Sequence, residues 1–137
     1  MSKEYLNPKE LFPSLQYGFS QMVTASDGKT VYLSGQVGWN EREEMAAGDD
    51  LGAQMRQALR NIDIAIRAAG GTLQDVVSMR LYIVEEKRRE TRVVADVLKE
   101  FFPADRAPAT TWIIVRGLAN EEFLIEIEAT GVIEVPR

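Results

Sequence analysis

One segment of the chain carries an apolar stripe with helical spacing, and residues that start and stop helices mark both of its ends. Apolar side chains recur every three or four positions between Leu51 and Ala69, which is the period of one helix face. Asp49 or Asp50 can cap the first turn, because a carboxylate accepts hydrogen bonds from its unpaired N–H groups. Gly70-Gly71 supplies a left-handed turn after the last apolar residue. The segment therefore predicts a capped helix that packs by one face.

Alternation, glycine and proline predict the other elements. Residues 1–16 are expected to form an irregular arm because of their prolines. Strands are expected over 17–25 and 30–37, and Asp27-Gly28 between them is typical of a hairpin turn. The remaining expected elements are a strand at 76–84, a helix at 90–101 that Pro103 ends, and strands at 110–117 and 122–134. The prediction is one α+β domain over residues 1–137, with the order ββαβαββ and both helices on one face of a mixed sheet.

The predicted sheet has one face that the helices cannot cover. Val76, Tyr82 and Val84 are expected on the face away from the helices, and residues 112–115 are apolar on both faces. A sheet face of this kind has to be buried, and no further segment of the chain is available to bury it. A second copy of the chain is the economical cover, so we expect a homo-oligomer.

Composition excludes several kinds of chemistry. The chain has no cysteine and no histidine, which rules out thiolate sites and removes the commonest general base and zinc ligand. Acid–base work would rest on carboxylates, Tyr, Lys, backbone groups or water. The net charge of −5 disfavours nucleic acid as a partner. Without cysteine, histidine or a set of spaced oxygen ligands, we expect no metal site. No stretch approaches the roughly 20 apolar residues of a membrane span, so we expect no membrane partner and a cytoplasmic location.

Several short motifs follow one another along nearly the whole chain. They are Ser34-Gly35-Gln36, Gln-x-x-x-Ala-Leu-x-Asn from Gln54 to Asn61, Asp75-Val76-Val77, Pro108-Ala109, and Ile125-Glu126-Ile127-Glu128-Ala129. Their order and spacing over about residues 17–133 resemble the RidA family, also called YjgF-type or endoribonuclease L-PSP proteins. The resemblance implies a homotrimer with a chorismate-mutase-like fold and clefts between subunits. It also implies hydrolysis of reactive imines and enamines without a cofactor.

Two family positions with catalytic roles are matched in this chain. Ser34 stands at the serine of the Ser-Gly-Gln motif, next to Gly35, and Glu126 stands at the glutamate that the resemblance implies positions the hydrolytic water. A carboxylate held in that way can act as a general base. The alternative for Glu126 is a plain pairing with a strand neighbour or an arginine.

Four family positions are not matched. The arginine that follows the Pro-Ala pair in deaminating members, and grips the substrate carboxylate, is Thr110 here, and the cysteine two residues later is Trp112. The tyrosine of the first strand is Phe19, and an asparagine on the second helix is Ala95. These departures predict an altered substrate, because a guanidinium fork is the group that binds a carboxylate bidentately.

Arg80 is a candidate to replace the missing arginine, because a charge in the middle of an apolar strand needs a partner. The alternative is a structural ion pair with Glu126 or Glu128. The predicted inter-subunit pocket thus holds Glu126 and Ser34 as catalytic residues. Its substrate-binding residues are predicted to be Phe19, Gly35, Thr110, Trp112 and Arg80.

Three functions stay open on the sequence. The first is a divergent imine or enamine hydrolase that acts on a small metabolite. The second is a non-catalytic small-molecule-binding module or chaperone. A ribonuclease is the least favoured, because the chain lacks histidine and a basic face.

Overall fold

The computed structural model describes residues 2–46 and 48–136, and these form two helices and six strands. The predicted α+β class, with two helices and a mixed sheet, is confirmed, and one strand precedes those expected. The order is therefore βββαβαββ. The elements are β1 Ser2–Leu6, β2 Met22–Ser26, β3 Gly28–Gln36, α1 Leu51–Ala68, β4 Val76–Val84, α2 Thr91–Phe101, β5 Ala109–Val115 and β6 Ile125–Glu134.

The strands form two sheets. Four of them make the main sheet in the order β3-β6-β4-β5, in which β4 and β5 are parallel and the other pairs are antiparallel. Strand β5 is therefore an edge strand. Strands β1 and β2 pair with each other as a separate antiparallel sheet.

The N-terminal predictions need three corrections. The expected irregular arm contains strand β1, which pairs with β2 over a register that includes Tyr5 and Val23. The strand expected at 17–25 begins only at Met22. The expected hairpin at Asp27-Gly28 is wrong, since β2 and β3 belong to different sheets. Asp27 has a φ of 55°, a left-handed conformation that aspartate tolerates well, and it turns the chain from one sheet to the other.

Helix α1 confirms the strongest local prediction. Asp50 is the N-cap, and its side chain accepts a hydrogen bond of 3.0 Å from the amide of Ala53. Gly70 has a φ of 95° just beyond the C-terminus, as expected for a left-handed stop. Met55 and Ile62 are representative of the apolar stripe and are fully buried. The stripe packs this helix on the main sheet.

Helix α2 packs beside α1 on the same side of the sheet. Val94, Val97 and Leu98 are buried in the core that the helices share with the sheet. On the outside, Arg56 of α1 donates two hydrogen bonds to the Glu100 carboxylate of α2, at 2.9 and 2.8 Å. This contact raises the pKa of Arg56 and lowers that of Glu100. The position of α2 matters because its outer part lines the candidate site.

The face of the sheet away from the helices is less apolar than the alternation predicted. Val76 and Val84 were expected there, but both lie in the core, with exposed fractions of 0% and 5%. A register shift between Val76 and Ser78 turns Val76 inward, and Val84 sits where the strand and its alternation end. Tyr82 is half-buried and Tyr32 is 83% exposed. No helix in the described part of the chain is long and apolar enough to cross a membrane.

Candidate functional site

A cavity of about 820 Å³ opens beside the edge strand β5. Its walls come from β5, from the outer side of α2 and from the irregular segment 12–21. Edge strands leave one side of their backbone without a strand partner, and here the irregular segment lies along that side. The amide of Ser20 donates to the carbonyl of Pro108 at 2.9 Å, and Ser20 bridges to Ala109. This contact brings Phe19 next to the first residues of β5.

Thr110 and Trp112 form the floor of the cavity. In the parallel register, Thr110 lies opposite Met79 and Trp112 opposite Leu81, so both side chains point to the helix side of the sheet. The indole Nε1 of Trp112 donates a hydrogen bond of 3.0 Å to the hydroxyl of Thr110. The floor therefore presents an apolar ring and a neutral hydroxyl where the family pattern predicted a guanidinium.

Aromatic side chains continue from this floor along the wall. The rings of Phe19 and Trp112 are 5.7 Å apart and tilted by 56°. Phe12 meets Phe19 edge-on at 6.2 Å and meets Tyr17 at 6.4 Å. These separations are those of favourable aromatic pairs. The wall can therefore hold an apolar or planar ligand body.

The opposite wall belongs to α2, and three charged residues that line it were not predicted as site residues from the sequence. Arg92, Asp96 and Lys99 line the cavity, as does Ala95. The spacing of the three charged residues is i, i+4, i+7, which places them on one helix face. That spacing was visible in the sequence, but a charged helix face ordinarily faces solvent, and nothing local indicated that the segment 12–21 would enclose it.

Gly35 and Glu126 come together on the other face of the sheet, and Ser34 directly precedes Gly35 in β3. A register shift between Leu33 and Gln36 bulges β3 at this point. A Cβ built on Gly35 would overlap the Glu126 carboxylate, so the glycine backbone lies directly against that side chain. Glu126 is half-buried and Ser34 is exposed. The carboxylate therefore stands on the outer face and is accessible from it.

Arg80 lies on this same outer face and does not line the cavity over Thr110. Its Nη1 is 3.5 Å from Oε1 of Glu128, which also accepts a hydrogen bond from the hydroxyl of Tyr82. The hydrogen bond to Glu128 raises the pKa of the Tyr82 phenol above its usual value. Within one chain, Arg80 therefore forms an ion pair with Glu128, which was the alternative to a substrate-binding role.

The predicted site residues therefore form two groups within one chain. Tyr82 lies opposite Glu126 across the β4–β6 pair, whereas its neighbour Leu81 lies opposite Trp112 across the β4–β5 pair. Adjacent residues of a strand point to opposite faces, so Glu126 and Trp112 are on opposite sides of the sheet. Phe19, Thr110 and Trp112 share the cavity, and Ser34, Gly35 and Glu126 do not reach it within the chain.

Comparisons with known proteins agree with this architecture. The family model described as Endoribonuclease L-PSP matches residues 12–133. A 2-iminobutanoate/2-iminopropanoate deaminase from Dermatophagoides farinae is 32% identical over 134 residues, which cover 98% of this chain and 100% of that protein.

Two solved structures extend the comparison. YyfB from Yersinia pestis, a protein of unknown function of the conserved Rid family, is 37% identical with a TM-score of 0.90, and the match covers 97% of this chain and 100% of that one. The YjgF gene product of E. coli is 29% identical with a TM-score of 0.63, over 83% of this chain and 87% of its own. The family predicted from the short motifs is confirmed: this chain belongs to the RidA (YjgF-like, endoribonuclease L-PSP) family.

Proposed function

We propose that this protein hydrolyses an imine or enamine of a small metabolite to a carbonyl compound and ammonia, in clefts between the subunits of a homotrimer. A relative of 32% identity named as a 2-iminobutanoate/2-iminopropanoate deaminase supports the reaction class. The observation that carries the proposal is the pair of half-sites on opposite faces of one sheet. A cavity floored by Thr110 and Trp112 faces one way and the Glu126 carboxylate faces the other.

The two half-sites become one site if the outer face of one subunit meets the open edge of the cavity in the next. Cyclic symmetry repeats such a contact in every subunit. The outer face offers half-buried and exposed side chains for it, among them Ile113 and Tyr32. An assembly of this kind would place Glu126 of one subunit beside the cavity of its neighbour.

The chemistry assigned to Glu126 is general-base catalysis. Water attacks the carbon of the C=N bond, a C–O bond forms, and the carboxylate takes the water proton. The proton passes to the nitrogen as the C=N π bond breaks, which gives a tetrahedral carbinolamine. The hydroxyl proton of this intermediate then moves to the nitrogen, the C–N bond breaks, and ammonia leaves as the carbonyl forms. Gly35 supports this role, because its missing side chain leaves the space that the carboxylate occupies. Ser34 directly precedes Gly35 in β3, and its proposed role is to position the water or the substrate.

The substrate is proposed to differ from a simple 2-imino acid. The Thr110 hydroxyl accepts a hydrogen bond from the indole of Trp112, and its own proton remains available. The hydroxyl can therefore donate one neutral hydrogen bond to a ligand. A neutral donor binds a carboxylate less strongly than a bidentate guanidinium does. Recognition by this cavity therefore depends on other groups of the substrate.

A panel of imines formed in solution from different amino acids tests the activity, with release of the carbonyl product as the readout. We expect at least one imine to be hydrolysed faster than in buffer, and Glu126→Gln to lower the catalysed rate by about 10²–10⁴, the usual contribution of a general base. Glu134→Gln, at the far end of the same strand, is the matched control and should leave the rate unchanged. Ligand binding without any acceleration would instead favour a non-catalytic binding module.

Light scattering in dilute neutral buffer tests the assembly. We expect three times the monomer mass for the wild type, and a smaller species for Ile113→Asp, because a carboxylate would be buried in the contact. Ile64→Asp is the control, since Ile64 is 67% exposed on α1 and away from that face. A stable wild-type monomer would contradict the proposed cleft.

A further inference from the structure

The cavity carries a local positive charge on an acidic chain. Its charged lining residues are Arg92, Asp96 and Lys99, which sum to +1, whereas the whole chain has a net charge of −5. All three come from the same face of α2 and stand across the cavity from Thr110. A positive wall on an otherwise acidic protein indicates that the cavity attracts anions more than its surroundings do.

The two cations of this wall are not neutralised by carboxylates. Within residues 2–46 and 48–136, neither Arg92 nor Lys99 makes a salt bridge within 4.0 Å, and Asp96, their neighbour on the helix, makes none either. Several other cations of the chain are paired: Lys3, Arg56, Arg67, Arg80 and Lys87 each have a carboxylate partner at 2.7–3.7 Å. The two cations that face the cavity thus remain available to a ligand.

The aromatic wall lies next to these charges. Phe12 is 57% exposed and Tyr17 43% exposed, and with Phe19 they continue the apolar surface of Trp112. Large aromatic side chains gain free energy when a ligand covers them. The cavity therefore combines an apolar surface, about 820 Å³ of space and an unneutralised cationic rim.

We propose that Arg92 and Lys99 bind the anionic group of the ligand, while its apolar or aromatic body lies against Phe19 and Trp112. The inference deepens the proposed function and rests on it for the reaction, though the binding is separable from catalysis. The anion would be held on the α2 wall, across the cavity from Thr110. The substrate class is therefore an imine that carries both a bulky apolar body and an acidic group.

Isothermal titration calorimetry with two simple probes tests this directly. The first probe is 3-phenylpropanoate, and the second is its neutral amide, 3-phenylpropanamide, which has the same body. We expect the wild type to bind the carboxylate more tightly than the amide, by about fivefold to tenfold for ion pairs at a partly exposed site. Raising the salt concentration should reduce this preference, because exposed charges are screened.

Charge variants then locate the binding group. The double variant Arg92→Gln, Lys99→Gln should weaken binding of the carboxylate probe by about tenfold and leave binding of the amide probe unchanged. Asp96→Asn should strengthen binding of the carboxylate probe, because it removes a repelling charge. A purely structural role of these residues would not make this variant bind more tightly while the double variant binds more weakly. Arg60→Gln, an exposed α1 residue that does not line the cavity, is the matched control and should change neither probe.

Two results would overturn the inference. One is no detectable binding of the carboxylate, or equal binding of carboxylate and amide, to the wild type. The other is a preference that survives in the double variant. Failure of the proposed function looks different: charge-dependent binding with no hydrolysis of any imine contradicts the reaction alone. Hydrolysis of imines together with charge-independent binding contradicts this inference alone.

Discussion

The indole Nε1–H of Trp112 donates a hydrogen bond of 3.0 Å to the hydroxyl oxygen of Thr110. This bond uses the single polar hydrogen of the indole, so the ring presents only its apolar surface to the cavity. It also fixes the Thr110 side chain two residues earlier on the same strand. The position from which a guanidinium would grip a small carboxylate is therefore occupied by a neutral pair.

The first prediction follows for 2-aminoacrylate, which a dehydratase forms from serine. The wild type should hydrolyse it poorly, because losing a bidentate carboxylate clamp costs about 10²–10³ in catalytic efficiency. Thr110→Arg should raise the efficiency by about tenfold or more, measured as pyruvate release.

Thr24→Arg provides the control for added charge, because Thr24 is an exposed threonine of β2 outside the cavity. It should leave the rate unchanged. Wild-type acceleration equal to that of an arginine-bearing family member would contradict the prediction. In that case the double variant of Arg92 and Lys99 should abolish the activity.

The second prediction concerns the fit between Gly35 and Glu126. Gly35→Ala should displace the carboxylate, since the new Cβ would overlap it, and we expect catalytic efficiency to fall by about tenfold or more. Gly117→Ala is a matched control, because a Cβ there meets nothing within 4 Å. Circular dichroism should show both variants folded. Equal activity of the two variants would remove Glu126 from the proposed mechanism.

The elements that could be predicted from the sequence are those specified by local pattern. Helix α1 has its cap at Asp50 and its stop at Gly70 within the same segment, and β4 spans the expected residues 76–84. Strand β1 was missed because its partner, β2, lies about 20 residues away. The bend at Asp27 looked like a hairpin because hairpin turns also favour a left-handed aspartate.

The candidate site could be predicted only in part for a related reason. The strand residues Thr110 and Trp112 were found through the family motif. The charged face of α2 belongs to the same cavity only because the segment 12–21 folds against it, which is a tertiary contact without a local signal. The sheet face predicted for Val76 was wrong, because a strand bulge reverses the alternation of side chains. Bulges leave little trace in a single sequence.

The third prediction concerns Gln54, a fully buried polar side chain that ties α1 to the loops around it. Its amide donates to the carbonyls of Gly48 and Glu122 at 2.7 and 3.0 Å, and its oxygen accepts from the amide of Leu124 at 2.9 Å. Gln54→Leu should lower the free energy of unfolding by about 2–4 kcal/mol, because buried backbone groups lose their partners.

Denaturant unfolding at fixed protein concentration measures this loss. Gln57→Leu is the control, since among the residues that the structure describes that side chain bonds only to the side chains of Asn61 and Arg60. It should cost about 0.5 kcal/mol or less. Equal losses for the two variants would show that the buried hydrogen bonds of Gln54 do not stabilise the fold.

The most direct measurement of the central claim, a catalytic site shared between subunits, uses mixed oligomers. Glu126→Gln disables the outer-face half-site, and Thr110→Glu blocks the cavity half-site with a repelling carboxylate. Each variant alone should be inactive toward the imine that the wild type hydrolyses fastest. Unfolded together in equal amounts and refolded, they should regain about a quarter of wild-type activity, because random mixing in a cyclic trimer pairs two intact half-sites in that share of clefts. Activity of the mixture no higher than that of the separate variants would contradict the account.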